Sequence, residues 1–282
     1  MERILFGDNQ FFGVNHASDD KSREQLIKFK DDESIIKTLN FAKDAGINTF
    51  MCTTHDRISN ICDYIRFHPL DYVDYKIFPC MPYAHKYANA VTELGIIGTL
   101  KAYMPGNYFS TAFKGSMAYL SNDHEKMMEL LIDAEMKMFR GIDTPVIFLQ
   151  NVVTDLLLGL KAYGLLASFH SYVKNKYNAE AGFITMNFPL LSSVLEDLKI
   201  ENTIICTSLN KEGFRMSAGR EVYEKLIAER KNRVIAMQIF GGGFINSEEA
   251  IEYIKNIDGI ESVLFGASTP HNIRSTVNLL NS

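Results

Sequence analysis

The 282-residue sequence predicts an α/β protein with the architecture of a (β/α)8 TIM barrel. Short apolar, β-branched runs alternate eight times with segments of helical periodicity, and most connections between them are short. The last two apolar runs stop at small residues just before helical segments, where parallel strands commonly present backbone N–H groups to a ligand. An open, doubly wound sheet is the alternative, but no GxGxxG pattern follows the first strand.

Composition and charge restrict the class of protein. The balance of 46% hydrophobic and 22% charged residues is typical of a globular chain, and we expect residues 1–282 to form one barrel domain. The net charge of −5 argues against a nucleic-acid partner, and no apolar run is long enough for a membrane span. The strand-like start does not resemble a signal peptide, so we expect a cytoplasmic protein that binds small molecules, with a homo-oligomer left open.

The four cysteines are far apart in the sequence and include no CxxC pair. Cys52, Cys80 and Cys206 fall near predicted strand ends, and Cys62 lies in a predicted helix. We interpret all four as buried thiols rather than as disulfide partners or zinc ligands, since free cysteine is commonly buried. The histidines show no metal-like spacing, so no metal cofactor is predicted.

The first half of the chain contains three predicted strands, at residues 3–7, 48–54 and 76–80. Helices are predicted at residues 32–44, where Gly46 ends the pattern, and at 59–67. A Lys/Asp-rich segment before residue 32 is interpreted as loop. Pro79 weakens the prediction of the third strand, because proline cannot donate a hydrogen bond to a neighbouring strand.

The connection between the third and fourth strands is too long for a single βα loop. Residues 82–124 are predicted to form an insertion of loop and helix over the mouth of the barrel. Two helices, at 87–103 and 125–140, flank an aromatic, glycine-containing segment at 105–115. Such a segment is typical of a lid or a substrate wall, and an oligomer contact is the alternative.

The second half of the chain is more regular. Strands are predicted at residues 145–151, 182–187 and 203–208, and the last two begin at Val234 and Ser262. The helices that follow these five strands are predicted to end near residues 176, 198, 229, 254 and 280.

Titratable side chains follow the first three strands, and the carboxyl ends of barrel strands share one cavity. The candidate catalytic residues are Asp8, His55, Asp56, Tyr83 and Lys86. A histidine beside a carboxylate can act as a base whose tautomer is fixed, and a tyrosine near a lysine can act as an acid. The alternatives are that His55 is an exposed loop residue with Asp56 capping the next helix, and that Lys86 is solvated.

Amide side chains are concentrated at the same predicted end of the barrel. Amides both donate and accept hydrogen bonds, which favours a polyhydroxylated ligand such as a sugar. The candidate substrate-binding residues are Asn9, Gln10, Gln150, Asn151 and Asn187.

The end of the chain resembles the aldo-keto reductase superfamily. Residues 236–243 read Ala-Met-Gln-Ile-Phe-Gly-Gly-Gly, residues 265–270 read Phe-Gly-Ala-Ser-Thr-Pro, and residues 45–50 read Ala-Gly-Ile-Asn-Thr-Phe. In that family the first two segments hold the phosphate part of NAD or NADP, so the resemblance implies such a cofactor here. The implied cofactor-binding residues are Gln238, Gly241, Gly242, Gly243, Gly266, Ala267, Ser268 and Arg274. The alternative is that these glycines serve only as tight turns.

The catalytic residues of the family are not matched. Met51 stands where the resemblance expects the aspartate and Asp56 where it expects the tyrosine. Cys80 or Met81 replaces the lysine, and Gln150 replaces the histidine. The tyrosine that stacks on the nicotinamide is replaced by Met237.

Three hypotheses follow. The first is an NAD(P)-dependent oxidoreductase that acts on a small polar carbonyl or carbohydrate with altered acid and base residues. The second is a non-redox lyase, epimerase or isomerase that acts on a phosphorylated or nucleotide-linked sugar. The third is a catalytically silent barrel that binds a ligand or partner.

Overall fold

A computed structural model describes residues 1–14, 18–83 and 124–282 of the chain, and these form a closed barrel of parallel strands. Each strand is hydrogen-bonded to its neighbours in sequence order, and the eighth strand pairs with the first. The predicted (β/α)8 barrel is therefore confirmed, and the open sheet is excluded. The strands are β1 (Ile4–Gly7), β2 (Thr49–Thr53), β3 (Lys76–Met81), β4 (Val146–Leu149), β5 (Glu180–Thr185), β6 (Ile204–Ser208), β7 (Arg233–Met237) and β8 (Ile260–Phe265).

The strands are buried on both faces because the barrel encloses one set of side chains and the helices cover the other. The inner cluster includes Leu5, Met51 and Phe148, whereas alternate residues such as Phe6 and Phe50 pack outward in the larger core. Inside the barrel, the Phe148 ring lies against Gly182 on the adjacent strand. A Cβ atom at Gly182 would meet that ring at 2.3 Å. The interior is thus a packed core rather than a channel.

Ten helices are found among the described residues. They are α1 (Asp19–Lys28), α2 (Asp32–Asp44), α3 (Asp56–Phe67), α4 (His124–Met136), α5 (Asn151–Gly159), α6 (Tyr163–Tyr177), α7 (Phe188–Asp197), α8 (Arg220–Ala228), α9 (Ser247–Lys255) and α10 (Pro270–Asn281). Short 3₁₀ turns lie at Asn9–Phe12 and Lys137–Phe139. None of the helices in the described ranges is long and apolar enough to cross a membrane.

The interpretation of the Lys/Asp-rich segment as loop was wrong, because it contains α1. Ser18 caps this helix by accepting a hydrogen bond from the backbone N–H of Lys21. The helix has no buried residue, so it lacks the apolar face that marks α2 in the sequence. The capping serine and the acidic first turn are the signals that would have predicted it.

One further prediction differs from the structure, and the third strand, which Pro79 made less certain, is confirmed. The single helix predicted up to residue 176 is divided into α5 and α6, since Lys161 adopts a left-handed conformation with φ of 56°. Pro79 does lie inside β3, opposite Cys52, and the pairing with β4 starts only after it, at Cys80. The strand therefore tolerates proline where its missing N–H faces an incomplete ladder. The predicted helix at 87–103 and the segment at 105–115 lie outside the described residues.

Candidate functional site

Two groups of side chains lie at the carboxyl ends of the strands, on opposite sides of β1. The first, the carboxylate edge, consists of Asp8, Thr53, Thr54, His55, Tyr83 and Glu135, with Phe12 beside them. The second, the glycine edge, consists of Gly241–Gly243 after β7 and Gly266–Ser268 after β8, with Gln10 and Lys21 in contact. Both belong to the end of the barrel where TIM enzymes have their active sites.

Asp8 is the buried acid of the carboxylate edge. Its side chain is only 6% exposed, and Oδ2 accepts hydrogen bonds from the Thr53 backbone N–H and the Thr53 hydroxyl, both at 2.7 Å. Burial raises the pKa of Asp8 because it disfavours the charged carboxylate, and the bonds from Thr53 oppose that shift. A carboxyl with a raised pKa can exchange a proton nearer to neutral pH than an exposed aspartate.

His55 and Tyr83 lie next to each other at this edge. The His55 ring stacks on Phe12 with 4.1 Å between ring centroids, and the Tyr83 ring lies 5.7 Å from it. His55 is also the cap of α3, because Nδ1 accepts a hydrogen bond from the Arg57 N–H at 3.2 Å. Burial, and next the negative charge of Asp8, raise the pKa of the Tyr83 phenol, so it stays protonated at neutral pH.

Asp56 lies beside this edge, since its negative charge is a further cause of the raised pKa of Tyr83. It is the first residue of α3, exposed to solvent, and the structure therefore assigns the capping role to His55 rather than to Asp56. The alternative that Asp56 caps the helix was wrong. Lys86 lies outside the described residues.

Glu135 completes the carboxylate edge and was not predicted from the sequence. It is 3% exposed; Oε2 accepts a hydrogen bond from the Thr54 hydroxyl at 2.7 Å, and Oε1 accepts from the Tyr83 N–H at 3.3 Å. It belongs to α4, far along the chain from both partners. Consecutive threonines at the end of β2 thus hold two buried carboxylates, Asp8 and Glu135.

The predicted amide residues do not form one cluster. Asn187 caps α7 by accepting from the Leu190 N–H, and Asn151 is the first residue of α5. Gln150 is buried directly before α5, whereas Asn9 is exposed. Gln10 contacts the glycine edge, at Gly266.

The glycines after β7 form a left-handed turn. The φ angles of Gly241, Gly242 and Gly243 are 56°, 77° and 96°, which side chains rarely adopt. Within the turn, the Gly241 N–H donates to the Gln238 carbonyl and the Gly243 N–H to the Phe240 carbonyl. The turn therefore needs its glycines for conformation, whatever else it binds.

Gln238 precedes this turn. It also has a positive φ, of 55°, and its Oε1 accepts a hydrogen bond from the Ser208 hydroxyl at 2.7 Å. Arg274, on α10, is exposed and forms no ion pair with a described residue.

The segment after β8 leaves backbone donors available. Among the described residues, no hydrogen-bond acceptor is found for the backbone N–H groups of Gly266, Ala267 and Ser268. A Cβ atom at Gly266 would meet Gln10 Oε1 at 2.1 Å, so a side chain at this position would require the Gln10 side chain to move. Gln10 Nε2 donates to the Gly7 carbonyl at 2.7 Å, but Oε1 is buried without a donor.

Three of the positions that depart from the family motif belong to the barrel interior. Met51 and Cys80 are part of the inner cluster, and Met237 packs against it. Burial raises the pKa of the Cys80 thiol well above its usual range. All four cysteines are free and buried, as predicted, and no group of three metal-binding side chains is found among the described residues.

Comparison with known proteins identifies the fold. No family model matches the sequence, and no curated protein matches it significantly. A solved structure of a Pseudomonas aeruginosa protein proposed to be an aldo-keto reductase is 12% identical, with a TM-score of 0.60, over 99% of this chain and 89% of that chain. An aldo/keto reductase from Brucella melitensis is 9% identical, with a TM-score of 0.58, over 99% and 89%.

An aldose reductase from Giardia lamblia is 12% identical, with a TM-score of 0.54, over 99% of this chain and 87% of that chain. The chain has the barrel fold of aldo-keto reductases. The resemblance found in the glycine segments thus extends over nearly the whole structure, while the low identities agree with its divergent sequence.

Proposed function

We propose that the chain is an NAD(P)-dependent oxidoreductase that acts on a small polar carbonyl or carbohydrate. One observation carries the proposal: the mouth combines a buried, titratable edge at β1–β3 with an edge of available backbone donors at β7–β8. The first suits proton transfer and the second suits an anionic ligand.

The residues of the glycine edge fit the phosphate part of a dinucleotide. The N–H groups of Gly266, Ala267 and Ser268 have no acceptor in the described chain, and they directly precede the N-terminus of α10. Free N–H groups at a helix N-terminus favour negative charge. When bound, NADPH or NADH would supply the hydride; the protein would supply the position and the proton.

Tyr83 is the proposed proton donor to the substrate carbonyl. Its raised pKa keeps the hydroxyl protonated at neutral pH, and its backbone is held by Glu135. Asp8 would act as the second titratable group at the same edge, with its orientation set by Thr53. This pair would replace the acid and base that the family places at other positions.

A second candidate function is a non-redox lyase, epimerase or isomerase on a phosphorylated sugar. The raised pKa of Asp8 supports it, since such an enzyme needs proton transfer but no hydride. Met237 also supports it, because no aromatic ring is present there to stack on a nicotinamide. In this case the glycine edge would hold the substrate phosphate.

Nucleotide binding separates the two functions. Titration with NADPH and NADH, followed by nicotinamide fluorescence and thermal shift, is expected to show saturable binding for the oxidoreductase. Oxidation of the bound nucleotide should then be measured with a panel of small aldehydes, ketones and keto-sugars.

Tyr83→Phe is expected to reduce turnover by roughly 100-fold or more, as for loss of a general acid, while nucleotide affinity is retained. Tyr75→Phe, directly before the amino end of β3 and so at the opposite end of that strand from Tyr83, is a control of equal chemistry. Binding of sugar phosphates without any nucleotide binding would reject the oxidoreductase in favour of the second function.

A further inference from the structure

The ammonium group of a lysine lies beside the glycine edge. Lys21, in the first turn of α1, places Nζ 3.9 Å from where a Cβ atom at Gly243 would be. Lys21 forms no ion pair with any described residue. A lysine near glycines that expose backbone is a common arrangement for phosphate, because the ammonium group neutralises charge while the backbone approaches closely.

The helix that carries Lys21 is positioned by a close contact. A Cβ atom at Gly13 would lie 2.6 Å from Leu26 Cγ and 3.0 Å from the Ser22 carbonyl oxygen, so α1 packs directly on the turn that follows Asn9–Phe12. Because β1 and β7 are both neighbours of β8, a helix that starts from β1 and reaches Gly243 extends across the exit of β8. Lys21 is therefore held beside Gly243, on the side of the barrel where β8 ends.

Two buried acceptors, one beside Gly266 and one on α1, lack donors among the described residues. Gln10 is 4% exposed, and its Oε1 lies against Gly266 without a hydrogen bond. Gln25 Oε1 is also buried without a donor, and Gln25 follows Lys21 by one helical turn on the same face of α1. Unsatisfied buried acceptors are rare in folded proteins and are often completed by a ligand or water.

We propose that Lys21 is a phosphate-binding residue that closes the glycine edge from above, with the N–H groups of Gly266–Ser268 below. The ligand class is a diphosphate or a phosphate ester, and its hydroxyl groups would meet the amide oxygen of Gln10. This inference deepens the proposed function and shares its site, but it concerns the phosphate group rather than the hydride. Lys21 supplies the charge that residues 266–269 lack, since they contain no lysine or arginine.

The test measures phosphate binding in the full chain by calorimetry at low and high salt. The probes are inorganic diphosphate, NADPH, NADH and a sugar phosphate. Lys21→Gln is expected to weaken binding of the bound probes roughly tenfold, about what a single charge-assisted hydrogen bond contributes, and to reduce the salt dependence. Lys21→Arg should retain affinity within a few-fold.

Lys28→Gln is the matched control. It removes the same charge from the same face of the same helix, about 10 Å further along the axis. Equal affinities for Lys21→Gln and Lys28→Gln, or no binding of any probe to the wild-type chain, would overturn the inference.

The outcomes also separate this inference from the proposed function. Lys21-dependent binding of diphosphate or sugar phosphate, without binding of NADPH or NADH, supports the inference and rejects the oxidoreductase. Nucleotide binding that is unaffected by Lys21→Gln supports the oxidoreductase and rejects the role of Lys21. Thermal unfolding of each variant, measured alongside, shows whether a lost affinity reflects a lost fold.

Discussion

The two edges of the barrel mouth differ in whether their polar groups have hydrogen-bond partners. At the carboxylate edge, Asp8 and Glu135 are buried, and each accepts a hydrogen bond from a threonine at the end of β2. At the glycine edge, the backbone N–H groups of Gly266–Ser268 have no acceptor in the described chain. The carboxylates of the first edge have donors within the described chain, whereas the second edge has backbone donors without acceptors there. The difference indicates where protons are held and where an anion from solution can bind.

The largest loss of stability is expected when the hydrogen bonds of the carboxylate edge are removed. Asp8→Ala removes the acceptor of two buried hydrogen bonds from Thr53, and unpaired buried donors are costly. We expect the free energy of unfolding to fall by about 2–4 kcal/mol, measured by urea denaturation. Asp8→Asn keeps one acceptor oxygen and should cost less. A loss below about 0.5 kcal/mol for Asp8→Ala would show that Thr53 does not depend on this carboxylate.

A smaller loss of stability is expected when a side chain is added at the glycine edge. Gly266→Ala introduces a Cβ atom 2.1 Å from Gln10 Oε1, so the Gln10 side chain must move and lose its bond to Gly7. We expect a loss of about 1–3 kcal/mol in the free energy of unfolding, as is typical of overpacking. In a double-mutant cycle, Gln10→Ala should relieve much of that loss. Strict additivity of the two substitutions would contradict the contact.

The smallest expected effect is a change of stability with pH, caused by the buried carboxyl group of Asp8. Since burial raises the pKa of Asp8 above its ordinary 3.8, the folded protein binds this proton more tightly than the unfolded chain. The contribution of Asp8 to stability is therefore fully present below pH 3.8 and is lost as the pH rises through the folded pKa.

This dependence is measured as the difference in unfolding free energy between the wild type and Asp8→Asn, at constant ionic strength. The unfolding free energy of the wild type, relative to that of Asp8→Asn, should fall as the pH rises from acidic to neutral. If the relative stability of the wild type stays constant or increases with rising pH, the pKa of Asp8 in the folded protein is ordinary or lowered. Gly266→Ala serves as the comparison, because its cost is steric and should not follow this titration.

The sequence predicted those parts of the site that lie directly after strands. Asp8, His55, Tyr83 and the glycine segments all follow strands, and in a parallel barrel all strand ends meet at one face. The same rule could not separate His55 from its neighbour Asp56. The start of α3 distinguishes their positions, since His55 is the cap and Asp56 is the exposed first residue of the helix.

The parts that were missed come from helices. Glu135 is separated from Thr54 by 81 residues, and no spacing rule connects a position in α4 to the end of β2. Lys21 belongs to a helix without buried residues, so hydrophobic periodicity cannot detect it. Both reach the mouth only through the way their helices pack on the barrel, which is tertiary information.

The packing of Phe148 on Gly182 affects whether a ligand could pass through the barrel. The ring occupies the space that a side chain on β5 would otherwise take, and with Met51 and Leu5 it belongs to the sealed interior of the barrel. The described strand side chains therefore fill the barrel interior between the mouth and the opposite end of the strands. A ligand that binds at the mouth is therefore expected to enter and leave from the mouth side rather than through the barrel interior.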